Sequence, residues 1–154
     1  MDPRVSGHTA TLRPATSRDF DSLVELLETA ALPTAGLPPT LGGFFVAQSG
    51  GRVVGGIGLE VYGRTALLRS TAVDPGFQGA GIGQALVRRI LDHAGERGVT
   101  EVFLLTTTAE RFFLRLGFTR IARSDVPGAV TQSVEFRGAC PASAIAMRTE
   151  LSTS

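Results

Sequence analysis

Cysteine is nearly absent from this chain: Cys140 is the one thiol in 154 residues. A single thiol builds no internal disulfide framework, so the fold must rest on its apolar core, and a reducing cytoplasm is the expected compartment. Net charge is nearly absent as well. Fifteen basic against fourteen acidic residues leave a formal +1, without the basic excess of a dedicated nucleic-acid binder. Cationic substrates are not excluded by this balance, because net charge says little about a pocket. No apolar run is long enough to span a bilayer, and the first residues lack the charged and apolar regions of a secretory signal. Neither nucleic acid nor a membrane is therefore an expected partner. Internal repeats and low-complexity segments are missing too.

What is there has the composition of an ordinary folded domain, 43% apolar and 19% charged. A single domain with a substantial core is expected over residues 10–151, after a loose polar start at residues 1–9. Nineteen glycines punctuate strands and turns rather than forming a linker.

The strongest pattern runs from Leu67 to Arg97. Leu67 to Val73 is a mostly apolar run of strand length, stopped by Asp74 and Pro75. After the segment Gln78, Gly79, Ala80, Gly81, Ile82, Gly83 the period changes. Ile82, Leu86, Ile90 and Ala94 recur every four residues, Val87 and Leu91 widen the stripe, and Gln84, Arg88, Asp92 and Glu96 fall opposite. Strand, tight turn and long helix are predicted. Glycines before a helix let backbone N–H groups turn toward a ligand. The helix N-terminus adds unpaired donors and the positive end of the dipole, an arrangement suited to a pyrophosphate. By itself the triplet reads equally as a turn whose glycines only satisfy backbone geometry. No lysine follows it, and its spacing is not the dinucleotide fingerprint, so neither of the commoner phosphate loops is matched.

Ahead of this stretch, Ala10–Pro14 reads as a strand. Ser17 reads as the cap of a helix over residues 18–31, buried through Phe20, Leu23, Val24, Leu27 and Ala30. Leu32–Gly43, with three prolines and three glycines, is a loop or a broken helix. Phe44–Ser49, Gly50 and Gly51, and Arg52–Tyr62 read as a hairpin, in which Gly55, Gly56 and Gly58 weaken regular pairing and permit bulges. Behind the long helix, Gly98 suits a helix end. Val99–Thr107 is a strand, apolar from Val102 to Leu105 and so covered on both faces. Ala109–Leu116 is a short helix, Phe118–Ala122 a strand, Asp125–Val130 one or two helical turns, Thr131–Pro141 irregular and Ala142–Leu151 a last strand.

Gln78 to Gly83 matches the Gln/Arg-x-x-Gly-x-Gly/Ala signature of the GNAT superfamily of acyl-CoA N-acyltransferases. Phe112, Phe113, Leu114, Arg115, Leu116, Gly117 and Phe118 resemble that family's second hallmark, Phe-Tyr-x-x-x-Gly-Phe, in the right order and at a fitting distance. The resemblance covers about residues 10–151. It implies an α/β (α+β) fold: a mixed, mostly antiparallel sheet of six to seven strands with helices on both faces. Acetyl-CoA is the implied co-substrate, with no metal. Backbone N–H groups of Gln78, Gly79, Ala80, Gly81, Ile82 and Gly83 would hold its pyrophosphate. The pantetheine arm would lie along Thr71, Ala72 and Val73 where that strand splays from the next, and Phe112 would belong to the same cradle. The N–H of Ala72 or Val73 would meet the thioester oxygen. The family often forms homodimers.

The reaction implied is attack of an amine on the thioester, which calls for a base and an acid. Members often carry a carboxylate near positions 69 and 70, where this chain has Arg69 and Ser70. Glu60 is the carboxylate nominated instead, acting directly or through water; its other reading is an ion-pair partner for Arg69. The family's tyrosine is Phe113 here and cannot donate a proton. The thiolate, with a reference pKa of about 8.5, can leave unassisted or with water. Tyr62 reads as structural.

From Leu104 through Phe118 to Pro127 the chain resembles the acetyltransferase domain of N-acetylglutamate synthases. Leu68, Arg69 and Ser70 with Cys140 to Ala144 resemble more closely the arsenic-resistance (ArsN) N-acetyltransferases. The expected substrate is thus a small amino acid or a glutamate-like arsenic or phosphinic analogue. Arg69 and Ser70, with Thr107, Thr108 and Ser143 as hydroxyl partners, are the candidate substrate residues. The arginines of the glutamate enzymes are missing where Pro141 and Thr108 align, which weakens glutamate itself. Arg69 reads equally as a structural ion pair, and the threonines as strand formers. Cys140 has no histidine near it in sequence and reads as a small buried thiol rather than a nucleophile.

Overall fold

The computed structural model describes residues 10–133, 136 and 143–151. Seven strands, β1 (Thr11–Pro14), β2 (Phe44–Ser49), β3 (Arg52–Tyr62), β4 (Thr65–Val73), β5 (Glu101–Thr106), β6 (Thr119–Ile121) and β7 (Ile145–Glu150), are ordered β1-β2-β3-β4-β5-β7-β6. β4 and β5 pair in parallel; β1–β2, β2–β3, β5–β7 and β6–β7 pair antiparallel. The helices are α1 (Phe20–Thr29), α2 (Ile82–Glu96), α3 (Glu110–Arg115) and α4 (Gly128–Thr131). The chain divides into two compact units, one of residues up to Gly58 with Ser70–Ile90, the other of Leu59–Arg69 with the residues from Leu91 on.

In the first unit the hairpin forms as its glycines direct. Gly50 and Gly51 both take positive φ, 57° and 81°, which a two-residue turn of matching twist requires. The β2–β3 register skips one residue, since Ala47 faces Gly55 and Gln48 faces Val53; Val54 is the extra residue of a bulge. Gly55 and Gly56 point to opposite faces of β3. A β-carbon on Gly55 would lie 3.1 Å from Leu86 and 3.2 Å from Ile82 of α2, and one on Gly56 would lie 2.5 Å from Leu23 of α1. The two helices therefore cover opposite faces of the strand. The ring of buried Phe44 occupies the space a side chain at Gly58 would need, 2.3 Å from its β-carbon position. Around it Leu23, Leu26, Leu27, Leu41 and Ala72 form the core.

The stripe of α1 differs from expectation. Leu26 is buried, whereas Ala30 is exposed beyond the helix end at Thr29. The cap also shifts by one residue. Thr16, not Ser17, accepts from the N–H of Arg18, and the Thr16 N–H donates to Asp19 at 2.8 Å. Asp19 decides this position because its carboxylate is already held by the Arg13 fork, Nη1 and Nη2 each at 2.8 Å. Ser17–Asp19 is a single 3₁₀ turn in front of α1. Leu32–Gly43 is a loop without a helix.

In the second unit, Leu67, Phe103, Val126, Val130 and Ala146 are packed together, with Tyr62, Leu105, Ile121 and Phe136 at their margin. Two residues beyond α3, Gly117 takes φ of 98°, and the chain turns back so that the Phe118 N–H donates to the Phe113 carbonyl at 3.0 Å. β7 starts at Ile145, later than expected; Ser143 sits in the turn before it, and Cys140 lies outside the described residues.

The Arg13 fork, with the Thr16 N–H, holds Asp19 below the usual carboxylate range despite its burial. A lowered folded pKa stabilises the fold above the ordinary aspartate range and loses that contribution as pH falls through the folded value. Asp19→Asn is expected to cost about 1.5–3 kcal/mol in urea unfolding at neutral pH. The difference from wild type should shrink progressively below about pH 4; a difference that stays constant with pH would refute the charge-assisted latch.

Candidate active site

The loop behind β4 is built by local bonds. The Asp74 N–H donates to the Val54 carbonyl at 2.8 Å, tying the end of β4 to the bulge of β3. The Asp74 carboxylate accepts from the Gly76 N–H at 2.8 Å and from Arg52 at 2.8 Å, which fixes the 3₁₀ turn Pro75–Phe77. The Gln78 side-chain amide then donates back to the Val73 carbonyl at 3.0 Å. Gly79 and Gly81 take φ of 87° and 83°, and nothing lies within 4 Å of where their β-carbons would be. Conformation rather than crowding thus demands glycine at both. Gln78, Gly79, Ala80 and Gly81 are exposed, while Ile82 is buried and anchors the start of α2. The result is an open run of backbone at the N-terminus of a fifteen-residue helix, whose first N–H groups have no intrahelical acceptor. This is the geometry of an anion cradle.

β4 is covered on both faces from Ala66 through Ser70, all of which are buried. Ser70 has φ of 62°, a left-handed conformation inside a strand. For a residue with a β-carbon this is strained, and it re-aims the backbone groups of Thr71, Ala72 and Val73 that follow. Ala72 is buried in the first unit's core, while Thr71 and Val73 are half-buried. The ladder of β4 with β5 runs from Thr65 opposite Glu101 to Leu67 opposite Phe103.

Glu60 and Arg69 meet. The Arg69 side chain has no exposed surface, and its Nη1 donates to Glu60 Oε2 at 2.7 Å; Glu60 keeps 21% of its side chain exposed. The Tyr62 hydroxyl donates to Glu60 Oε1 at 2.5 Å. A buried guanidinium needs such a counter-ion, since removing one partner of a buried pair typically costs about 3–5 kcal/mol. The ion-pair reading of both residues is therefore present in the structure, and it leaves the carboxylate partly open to solvent. Sequence reasoning set Tyr62 aside. The available signal was its spacing: residues 60 and 62 of a strand share a face.

The remaining candidates are scattered over the second unit. Thr107 and Thr108 are exposed in the bend after β5, across which the Thr106 hydroxyl accepts from the Ala109 N–H at 3.0 Å. Ser143 is exposed in its turn. Phe112 is half-buried, its ring edge-on to Phe113 at 5.0 Å, and Phe113 is edge-on to Phe118 at 5.5 Å. Phe113, 5% exposed, is a core residue. Among the described residues no group of three or more His, Cys, Asp or Glu side chains is placed to hold a metal ion, and no helix is long and apolar enough to cross a membrane. A separate open concavity of about 540 Å³ in the first unit has Arg13, Arg18, Asp19, Glu25, Arg52 and Asp74 in its lining, with Arg13 paired to Asp19 and Arg52 to Asp74.

Comparison with known proteins agrees with this geometry. Residues 40–120 match the model of the acetyltransferase (GNAT) domain. The chain is 42% identical over 81 residues to an amino-acid acetyltransferase of Mycobacterium tuberculosis, covering 52% of this chain and 46% of that one. It spans about half the length of the curated relatives it matches first. Among solved structures, a Mycobacterium tuberculosis protein in complex with CoA superposes with a TM-score of 0.78 at 28% identity, covering 92% of this chain and 99% of that one. The N-acetylglutamate synthase of Neisseria gonorrhoeae, solved with coenzyme A and N-acetyl-glutamate, gives 0.80 at 20% identity over 94% of this chain and 35% of that one, a likeness of fold. With the family model matching more than half of the sequence, and a strand, glycine loop and helix built as described, the chain belongs to the GNAT acetyltransferase family.

Proposed function

We propose that this chain, as one domain over residues 10–151, is an acetyl-CoA-dependent N-acetyltransferase acting on the α-amine of a small amino acid or glutamate-like analogue. The observation that carries the reading is the exposed backbone from Gln78 to Gly81, with Gly79 and Gly81 at positive φ, opening onto the N-terminus of α2. Backbone N–H groups from Gln78 to Gly83 take the pyrophosphate, Thr71 to Val73 run along the pantetheine arm, and Phe112 adds an apolar contact. The amine nitrogen attacks the thioester carbon, the C–S bond breaks, and the coenzyme leaves as a thiolate that water protonates. The proton shed by the amine goes to Glu60 or to a water it holds. Thr107, Thr108 and Ser143, which are exposed, meet the carboxylates of the amino acid, and the buried Arg69 and Ser70 act behind them, Arg69 through its pair with Glu60.

The names of the relatives support an amino acid as acceptor. The resemblance of Leu68 to Ser70 to the arsenic-resistance group narrows it to analogues of the arsinothricin or phosphinothricin type, detoxified in the cytoplasm. A biosynthetic, N-acetylglutamate synthase-like role is the alternative that the N-acetylglutamate synthase likeness favours. Burial of Phe113 among aromatic rings, in place of a proton donor, favours a third reading, a catalytically weak acyl-CoA-binding module.

Free-thiol release from acetyl-CoA with glutamate, aspartate, phosphinothricin, arsinothricin and a blank separates these. The chain has no lysine, so ε-amines of the protein cannot inflate the blank. Turnover on the phosphinic or arsenic analogue but not on glutamate is expected; turnover on glutamate selects the biosynthetic role, and a flat panel with tight acetyl-CoA binding selects the module.

Gly81→Val should raise the KM for acetyl-CoA about tenfold or more, because a β-branched residue resists that φ. An unchanged KM would remove the loop from the cradle. Arg69→Lys keeps the buried charge for Glu60 but loses the planar fork. It is expected to raise the KM for the amino acid and leave that for acetyl-CoA unchanged; equal effects on both would return Arg69 to a purely structural role.

A further inference from the structure

We propose that Tyr62 is a positioning residue for Glu60, fixing the plane of its carboxylate so that the oxygens present a constant direction to the reacting amine or its water. The proposal rests on the reading of Glu60 as proton acceptor. Its basis is the arrangement of donors around that carboxylate. Arg69 Nη1 holds Oε2 at 2.7 Å and the Tyr62 hydroxyl holds Oε1 at 2.5 Å, so among the described residues each oxygen has one side-chain donor. A carboxylate offers about four acceptor positions, and one on each oxygen remains for a ligand or water. With Arg69 alone, the carboxylate could turn about its last torsion, which is intrinsically broad. With both donors in place it cannot turn without breaking one of them.

The phenol is itself held. Tyr62 closes β3, and the Thr65 hydroxyl donates to its carbonyl at 3.1 Å across the turn at Gly63 and Arg64. Its ring packs at the margin of the cluster of Leu67, Phe103, Val126, Val130 and Ala146. Tyr62 thus connects the core of the second unit to the carboxylate that pairs with the fully buried Arg69. A tyrosine needed only to fill that margin would not require its hydroxyl on Glu60, so removal of the single oxygen tests the role with little loss of packing.

The chain has one tyrosine and no tryptophan, which makes the contact directly observable. An excited phenol loses its proton readily to a bonded carboxylate, so tyrosine emission is quenched by such a partner, and here all tyrosine emission comes from Tyr62. Wild type, Tyr62→Phe, Glu60→Gln and the double variant are compared by thiol-release kinetics on the best amine of the panel, by thermal melting and, where the tyrosine remains, by emission. Tyr62→Phe is expected to lower kcat about 10- to 100-fold, the cost of a misplaced reacting group, with the KM for acetyl-CoA unchanged. In the Glu60→Gln background the same change should have no further effect, because the pair acts as one unit. Emission should rise in Glu60→Gln.

Full kcat in Tyr62→Phe, or the same fractional loss in both backgrounds, overturns the positioning role while leaving the acetyltransferase reading intact. Unchanged emission in Glu60→Gln overturns the contact itself. A wild-type chain that turns over no amine overturns the acetyltransferase reading and the positioning role of Tyr62 together; an emission rise in that case marks the contact as structural only.

Discussion

The architecture of the first unit depends on how closely its other parts approach the backbone of β3. Gly55, Gly56 and Gly58 leave that strand without side chains at three central positions. Ile82 and Leu86 take the space on one face, and Leu23 and the Phe44 ring take it on the other. Large side chains from the helices fill the volume that the strand gives up, and close packing of this kind tolerates little change in volume. Because Ile82 is both the first residue of α2 and a contact of Gly55, the seating of the helix also sets where the glycine loop opens. The pairing of Asp74 with Val54 fixes the other end of the same loop.

A different constraint governs the second unit, that of a charge without access to water. The Arg69 guanidinium is wholly covered, and desolvation of a cation is costly unless a counter-ion and hydrogen bonds accompany it. Glu60 supplies the counter-ion on the neighbouring strand, and Tyr62 engages the oxygen that Arg69 does not. A residue nominated for proton transfer and a residue nominated for recognition of carboxylate are thereby one electrostatic unit. Changing either changes both, so their functions are separable only with substitutions that retain charge or shape.

The second hallmark shows how a resemblance can carry fold more faithfully than chemistry. Gly117 turns the chain after α3 with positive φ, and Phe118 returns to bond the Phe113 carbonyl, so the backbone role of the motif is intact. The position where the family often keeps a tyrosine holds a phenylalanine buried among Phe112 and Phe118, which has no proton to give.

Those parts of the molecule whose causes are local were legible in the residues alone. The hairpin followed from paired glycines between two apolar runs, α2 from a four-residue period, and the loop from glycines placed where φ must be positive; in each case the deciding interactions span only a few residues. The Thr16 cap was there to be read, since Thr16 and Asp19 stand at capping-box spacing with Arg13 of β1 six residues from Asp19, but local chemistry could not show that Asp19 is buried. Nor could it show that Ser70 is left-handed, that Arg69 is buried, or that Glu60 accepts from both Arg69 and Tyr62. Those features depend on which strands lie side by side and which faces are closed to water. Burial, the counter-ion it demands and the direction of a carboxylate are properties of the packed chain, decided only once the tertiary structure has formed.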